Sequence, residues 1–403
     1  MWLKSSHGGQ LWRGWMLPSE GVGLGWQCLG LSFLRKSGEK MRFANWYEMG
    51  SVAAGGCLAA MLFAPTVWAQ QTKEKVTVDD VERNYSVRLP KGYDAKQHYP
   101  VVVVLHGLNQ DADDVQRLTR FDELADKDSV ITVYPSALHG RWNIGVRAPE
   151  QQRPMGMGPG RRRGYGYPGG GYPGGGRPGG GQQDPNRRPN QEHTQTPTDD
   201  ISFFNQMLDK LATTFSVDSS RIYAAGLSDG GFMSLHLGCA LSDRFAAVAA
   251  VGAAMPKTMI CLPSRPVPLV MINGTEDPIV HYDGGTEKNR NLPIISVDDS
   301  AKAWAKIDRC AEKPEHSKLP KSKGGMETKV DTYNGCQQNA QVVLYSVKGG
   351  GNTWPGGEQY EVEKTIGKTS EDLNANQVIW SFFVTRKLPG ETAEKQDQSA
   401  EKK

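Results

Sequence analysis

One short segment, Gly226-Leu-Ser-Asp-Gly230, constrains the fold of this chain more than any other part of its sequence. It lies directly after a predicted strand and directly before a predicted helix, the context in which a G-x-S-x-G motif forms a tight turn. Only glycine fits at both ends of such a turn, and the serine between them is held in a strained backbone with its hydroxyl exposed. The sequence therefore predicts that Ser228 is a nucleophile at the edge of a sheet.

A second motif, His106-Gly107-Leu108, directly follows a continuous run of branched residues from Val101 to Leu105. Such a run is typical of a strand that is buried on both faces of a parallel sheet. The loop after this strand can donate one backbone N–H to the oxyanion formed when a serine attacks an acyl group, and the residue after the serine donates the other. We predict Leu108 and Asp229 as these donors, and His106 as a residue that supports the loop and borders the substrate.

Strand and helix patterns alternate over residues 70 to 146 and 199 to 389, which favours one α/β domain with a doubly wound, mostly parallel sheet. The predicted strands are 82 to 89, 101 to 105, 130 to 134, 221 to 225, 247 to 252, 268 to 273 and 341 to 347. The clearest predicted helices are 199 to 215, 231 to 241 and 374 to 386.

An acidic residue follows one of these strands at the place where a catalytic triad needs one. Asp277 ends the segment Asn273-Gly-Thr-Glu-Asp277 and lies downstream of Ser228. The chain order serine, acid, histidine is the one found when the nucleophile lies in a strand-to-helix turn. We predict Asp277 as the acid that orients the catalytic base.

Five motifs together resemble the secreted polyhydroxybutyrate depolymerase, LpqC-like and feruloyl esterase family, over residues 81 to 386 without the segment 147 to 198. The resemblance implies an α/β-hydrolase fold, a Ser-Asp-His triad and hydrolysis of polymeric hydroxyacyl esters or of acyl groups on polysaccharide. It also implies that Trp142 and Trp354 border the substrate. The motifs are Leu105-His-Gly107, Trp142-Asn143, Gly226-Leu-Ser-Asp-Gly230, Asn273-Gly-Thr-Glu-Asp277 and Gly349-Gly-Gly-Asn-Thr-Trp-Pro-Gly-Gly357.

The chain departs from that family at Asn352, which occupies the position of the histidine in the family's GGGHTWPGG motif. An amide does not accept and return a proton near neutral pH, so the usual base is missing. Three hypotheses follow. His281 substitutes as the base; the protein is a weak or inactive hydrolase that binds polysaccharide or polyester; or Asn352 binds substrate or water while the base comes from another histidine or from a partner.

The N-terminal region predicts export. Residues 41 to 69 combine Met41-Arg42, an apolar run of small residues and Val67-Trp-Ala69, the pattern of a secretory signal with its cleavage site. We interpret residues 1 to 40 as the product of a start codon assigned too early, with an uncleaved membrane anchor as the alternative to a signal. The expected location is extracellular or periplasmic, without stable membrane insertion after cleavage.

Four cysteines remain after the signal, an even number that favours two disulfides in an exported chain. Sequence order suggests Cys239 with Cys261 and Cys310 with Cys336, although four cysteines allow three pairings. No spacing of cysteine and histidine predicts a zinc site, and no motif predicts a cofactor.

Residues 147 to 198 interrupt the α/β pattern and include a Tyr-Pro-Gly repeat. The whole segment contains eight arginines and three acidic residues. We expect this Gly/Arg-rich insertion, like the polar tail 390 to 403, to be disordered. A tolerated surface insertion is favoured over a basic arm that binds an anionic polymer. The net charge of the whole chain is only +3, which predicts no nucleic-acid partner.

Overall fold

The computed structural model of the protein describes residues 70–146 and 200–390. The predicted signal, the Gly/Arg-rich insertion and all but the first residue of the predicted tail lie outside the described residues. Within the two described ranges, no helix is both long and apolar enough to cross a membrane.

Ten of the twelve strands in the described ranges form one sheet in the order β1-β2-β4-β3-β5-β6-β7-β12-β11-β10, while β8 and β9 form a separate hairpin. The six central strands, from β4 to β12, run parallel, and the strands outside them pair antiparallel. The strands are β1 Gln71–Val78, β2 Val81–Arg88, β3 Tyr99–Leu105, β4 Ile131–Pro135, β5 Val217–Leu227, β6 Ala247–Val251, β7 Leu269–Gly274, β8 Gly285–Glu287, β9 Leu292–Ile294, β10 Glu315–Lys318, β11 Thr328–Tyr333 and β12 Val342–Val347.

Helices cover both faces of this sheet and enclose a core on each side. One core contains apolar side chains of α3, α4 and α5, and the other contains side chains of α1, α2 and α7. The predicted doubly wound, mostly parallel sheet is therefore confirmed. The helices are α1 Ala112–Thr119, α2 Phe121–Asp128, α3 Asp200–Thr214, α4 Asp229–Ala240, α5 Val297–Ile307, α6 Glu363–Ile366 and α7 Ala375–Phe383.

The buried central strands follow directly from their sequences. Every residue of β3 is buried, as expected for a branched apolar run between two helical layers. In β5 the polar first half is partly exposed, whereas its last six residues, which lead to Ser228, are buried. Ser228 therefore follows the buried end of a central strand.

Two disulfides join the pairs predicted from sequence order. Cys239 at the end of α4 is bonded to Cys261, and Cys310 after α5 is bonded to Cys336 after β11. The first bond therefore connects a helix to a loop, and the second connects two loops.

A buried ion pair holds the chain together on either side of the undescribed segment. Arg83 of β2 lies 2.5 Å from Asp200 Oδ1 at the start of α3. Asp200 Oδ2 accepts the backbone N–H of Asn143 at 2.6 Å. The guanidinium also lies 4.1 Å from the centre of the Phe203 ring. These contacts offset the cost of burying the charges of Arg83 and Asp200.

Candidate active site

Ser228 lies in the sharp turn that joins β5 to α4. Its backbone angles, φ 54° and ψ −112°, lie in a region that residues with side chains rarely adopt. The Ser228 N–H donates a hydrogen bond of 2.8 Å to the carbonyl of Val251 at the end of β6. The neighbouring strand therefore supports the strained turn, in the form expected of a nucleophile elbow on an α/β-hydrolase sheet.

The two glycines of the motif allow the close packing of this turn. A Cβ added at Gly226 would overlap the backbone of Gly230. One added at Gly230 would overlap the carbonyl of Leu105, the last residue of β3. The sequence prediction that only glycine fits here thus has a physical cause, since strand, turn and helix meet without space for a side chain.

The two predicted oxyanion donors lie beside this turn, Leu108 in the loop after β3 and Asp229 at the start of α4. Asp229 is the first residue of α4, and the N–H groups of a helix's first turn have no acceptor within the helix. Leu108 follows Gly107, where an added Cβ would lie 3.6 Å from the carbonyl oxygen of Leu227, immediately before Ser228. The structure therefore brings Leu108 and Asp229 to the same end of the sheet as the nucleophile.

His106 is buried beneath this loop rather than exposed to a substrate. Its Nδ1 lies 2.7 Å from the Gly107 carbonyl, and its Nε2 accepts the N–H of Ala137 at 3.0 Å. These partners require a neutral ring with its proton on Nδ1, and burial lowers the pKa of the ring. His106 supports the loop, as predicted, but its burial contradicts the prediction that it contacts substrate.

Trp142 and Trp354 are also fully buried, which contradicts their prediction as substrate-binding residues. The Nε1–H of Trp142 donates to the carbonyl of His106 at 3.0 Å. That of Trp354 donates to Asn376 Oδ1 at 2.8 Å. Both indoles fill the core, one bonded to the loop after β3 and the other to α7, so neither presents a ring face to a ligand.

The predicted acid, Asp277, is buried three residues after β7. Its Oδ1 accepts the backbone N–H groups of Ile279 and Val280, each at 2.8 Å, and its Oδ2 accepts the side-chain amide of Asn352 at 2.7 Å. Burial raises the pKa of Asp277 to about 7, although these three hydrogen bonds oppose that rise. Asp277 therefore orients the residue that occupies the family's histidine position.

Asn352 is fully buried in a loop after β12. Besides Asp277, its amide donates to the Gly252 carbonyl at 3.1 Å, and its backbone N–H donates to Ile366 at 2.6 Å. Gly252 follows Val251, the residue that accepts the Ser228 N–H, so Asn352 lies beside the nucleophile's supporting strand. Among the described residues, its Oδ1 has no hydrogen-bond partner.

His281, the candidate substitute base, is exposed on the loop after Asp277. In the described part of the chain, no hydrogen bond joins its ring to Asp277, whose two oxygens already accept from Ile279, Val280 and Asn352. The hypothesis of a relocated base therefore gains no support from the geometry.

The site also contains residues that the sequence analysis did not select. Arg290, in the hairpin of β8 and β9, donates to Asp229 Oδ1 at 2.5 Å and to the Trp142 carbonyl at 2.6 Å. Glu287 is buried beside it, and burial raises the pKa of its carboxyl. No motif identifies either residue. Across the two described ranges, no cluster of three or more His, Cys, Asp or Glu side chains is suited to bind a metal.

Comparison with known proteins identifies relatives that are named as esterases, while no protein-family model matches. The chain is 25% identical to NocK of Nocardia uniformis subsp. tsuyamanensis, an esterase by its name, over 79% of this chain and 84% of NocK. It is 30% identical to feruloyl esterase B of Piromyces equi over 39% of this chain and 29% of that protein. An acetyl xylan esterase structure from Aspergillus awamori aligns with 12% identity and a TM-score of 0.45, covering 78% of this chain and 99% of that one.

These relatives confirm the resemblance to esterases expected from the motifs. The chain spans most of NocK but under a third of feruloyl esterase B. The sheet order and the turn at Ser228 confirm the α/β-hydrolase fold.

Proposed function

We propose that this protein is a carboxylic-ester hydrolase that forms an acyl-enzyme on Ser228, and that it acts on feruloyl or acetyl esters of a polysaccharide. The backbone geometry of Ser228 carries the proposal, because a strained serine between a buried strand and a helix positions a nucleophile. The names of relatives, which include feruloyl esterases and a bifunctional acetylxylan esterase/xylanase, support the substrate class. Hydroxyalkanoate polyester is the alternative polymeric ester.

In the proposed reaction, Ser228 Oγ attacks the ester carbonyl carbon and the carbonyl electrons move to oxygen. The N–H groups of Leu108 and Asp229 hold that oxyanion while it collapses and expels the alcohol. Water then attacks the acyl-enzyme and releases the carboxylic acid and free serine.

The proton of the Ser228 hydroxyl needs an acceptor, and the Asn352 amide is not one near neutral pH. We therefore expect slow turnover, sustained by the oxyanion donors. A serine hydrolase that lacks one triad member retains roughly 10³–10⁴-fold acceleration over water.

A second candidate function is favoured by the hydrogen bond between Asn352 and Asp277. In this bond Asp277 accepts from an amide that is fully buried and that does not act as an acid or a base near neutral pH. On this hypothesis the fold binds an acylated polysaccharide or a polyester without turning it over.

The proposed location is outside the cytoplasm, either extracellular or periplasmic. The two disulfides support it, because such bonds persist in oxidising compartments. The signal pattern of residues 41 to 69 supports it independently.

Hydrolysis of p-nitrophenyl acetate and methyl ferulate by the purified protein, beside Ser228→Ala and His281→Ala, tests the proposal. We expect slow hydrolysis that Ser228→Ala abolishes and His281→Ala leaves unchanged. Loss of activity in His281→Ala would instead support a relocated base. A parent no faster than Ser228→Ala that still binds feruloylated arabinoxylan would indicate the binding function.

A further inference from the structure

A single network of hydrogen bonds connects the loop of Leu108 and the start of α4, which supply the proposed oxyanion donors. On one side, Asp229 Oδ2 accepts the backbone N–H of Trp142 at 2.9 Å. On the other, the indole N–H of the same tryptophan donates to the His106 carbonyl at 3.0 Å. Trp142 therefore fixes the distance between the loop of Leu108 and the first turn of α4.

Arg290 holds the Asp229 side of this network. Its Nε donates to Asp229 Oδ1 at 2.5 Å, and its Nη2 donates to the Trp142 carbonyl at 2.6 Å. One guanidinium thus bonds both partners of the Asp229–Trp142 contact, a geometry that a planar fork provides and an ammonium does not.

The hairpin that carries Arg290 is itself held in place. The carboxylate of Glu287 accepts the backbone N–H groups of Asn289 and Arg290 at 2.8 and 2.7 Å. Arg141 donates to the Asn289 carbonyl at 3.1 Å, which ties the turn to the residue before Trp142. The guanidinium consequently approaches Asp229 from an ordered turn.

The charge of Asp229 gives this contact a chemical consequence. Its carboxylate belongs to the residue whose N–H faces the developing oxyanion, and two negative charges at such short range repel strongly in a buried site. Two more carboxyl groups are nearby, because Asp229 contributes to the raised pKa of Glu287, and Glu287 contributes to the raised pKa of Asp277. Arg290 forms an ion pair with Asp229 and offsets its charge.

We propose that Arg290 is a positioning residue of the oxyanion hole, which orients the Asp229 N–H and neutralises the Asp229 carboxylate through the Arg290–Asp229–Trp142 network. This role rests on the proposed function, because it concerns the same nucleophile. Arg290 acts through Asp229 and does not touch the substrate.

The test uses a fluorophosphonate probe, in which Ser228 Oγ displaces fluoride from phosphorus and the P=O oxygen occupies the oxyanion hole. Labelling rates and p-nitrophenyl acetate kinetics are measured for Arg290→Met and Arg290→Lys, both in the parent and in Asn352→His. Arg290→Met is expected to lower the labelling rate and kcat by about 10- to 100-fold, below the loss on removing one oxyanion donor. KM should change less than threefold, and Arg290→Lys should recover part of the rate through its charge.

Arg88→Met is the matched control, because Arg88, at the end of β2, forms a similar ion pair with Asp126 of α2. The side chains of Arg88 and Arg290 are 13% and 11% exposed. Both methionine variants should lose thermal stability, but only Arg290→Met should lose labelling rate.

Three further outcomes decide the role of Arg290. Trp142→Phe, which removes the indole N–H but keeps a ring, should also slow labelling. Equal labelling rates and kcat in Arg290→Met and Arg88→Met would overturn the positioning role and leave a structural ion pair. Absence of labelling in both the parent and Asn352→His would overturn the proposed function itself, and this role with it.

Discussion

Asn352 donates its side-chain amide to Asp277 Oδ2 across 2.7 Å, and in the proposed function this amide stands where an acid would orient the imidazole of a base. The second amide hydrogen is directed to the Gly252 carbonyl. The remaining atom, Oδ1, accepts hydrogen bonds but has no useful affinity for a proton near neutral pH. On the proposed function, Asn352 therefore has the orientation of a general base without its basicity.

Replacing Asn352 by histidine should restore rapid hydrolysis. The imidazole Nδ1–H can replace the amide donor to Asp277 and leave Nε2 to accept the Ser228 proton. General base catalysis contributes about 10²- to 10⁴-fold, so we expect kcat for p-nitrophenyl acetate to rise by at least about 100-fold. Asn352→Gln is the control, because it keeps an amide and should gain nothing. Equal rates in the two variants would show that the base position lies elsewhere.

The stability of the protein should fall as the pH rises from about 4 to 7. Burial raises the pKa of Asp277 from 3.8 to about 7, so the folded state holds a proton that the unfolded chain releases in this window. Each pKa unit corresponds to about 1.4 kcal/mol, which gives a contribution of up to about 4 kcal/mol. Urea unfolding at pH 4.5 and pH 8 measures the difference.

Asp277→Asn should remove its share of that pH dependence, because an amide does not titrate. Asp308 is a second buried carboxyl whose pKa is raised to about 7, so Asp308→Asn should remove a comparable share away from the nucleophile. An unchanged difference between the two pH values in Asp277→Asn would contradict the raised pKa.

The ion pair of Arg83 and Asp200 should make a large contribution to the native state. Arg83→Met leaves a buried carboxylate without its countercharge, which typically costs about 3–5 kcal/mol. Arg117→Met, which removes an exposed pair with Glu358, should cost under about 1 kcal/mol. Chemical denaturation of both variants measures the free energy of unfolding, and similar losses would argue against this role of Arg83.

Reduction of the disulfides should lower the melting temperature. The bonded cysteines are separated by 22 and 26 residues, and loops of this size correspond to about 3–4 kcal/mol for each bond. Thermal unfolding with and without dithiothreitol checks this effect, with the variant Cys310→Ser/Cys336→Ser isolating the second bond. A melting temperature that reductant does not change would contradict it.

The sequence was sufficient to predict local structure wherever a single physical requirement determines it. The run from Val101 to Leu105 has too many branched residues for any place but a buried strand, and the glycines around Ser228 fit one type of turn. Edge strands offered no such signal. Every residue of β10 is exposed, so no alternation distinguishes it from a loop.

The wrong predictions concern the direction in which a side chain points, because residue type alone does not determine whether it faces a ligand or the core. Trp142 and Trp354 were expected to face a ligand, yet their rings lie in the core, and their N–H groups bond to the His106 carbonyl and the Asn376 side chain. Arg290 was missed because its partner, Asp229, is 61 positions away in the sequence. Contacts of this kind arise only once the sheet has assembled.

The hydrogen bond between Asn143 and Asp200 affects how the sequence of this chain can change in evolution. Because Asn143 and Asp200 are bonded directly, the two described ranges of the chain meet close to residues 146 and 200, where they end and begin. The entropy of closing a chain segment between two fixed ends changes only slowly with the length of the segment. Insertions, deletions and substitutions can therefore accumulate between residues 147 and 199 in evolution without a change in the fold of the described residues.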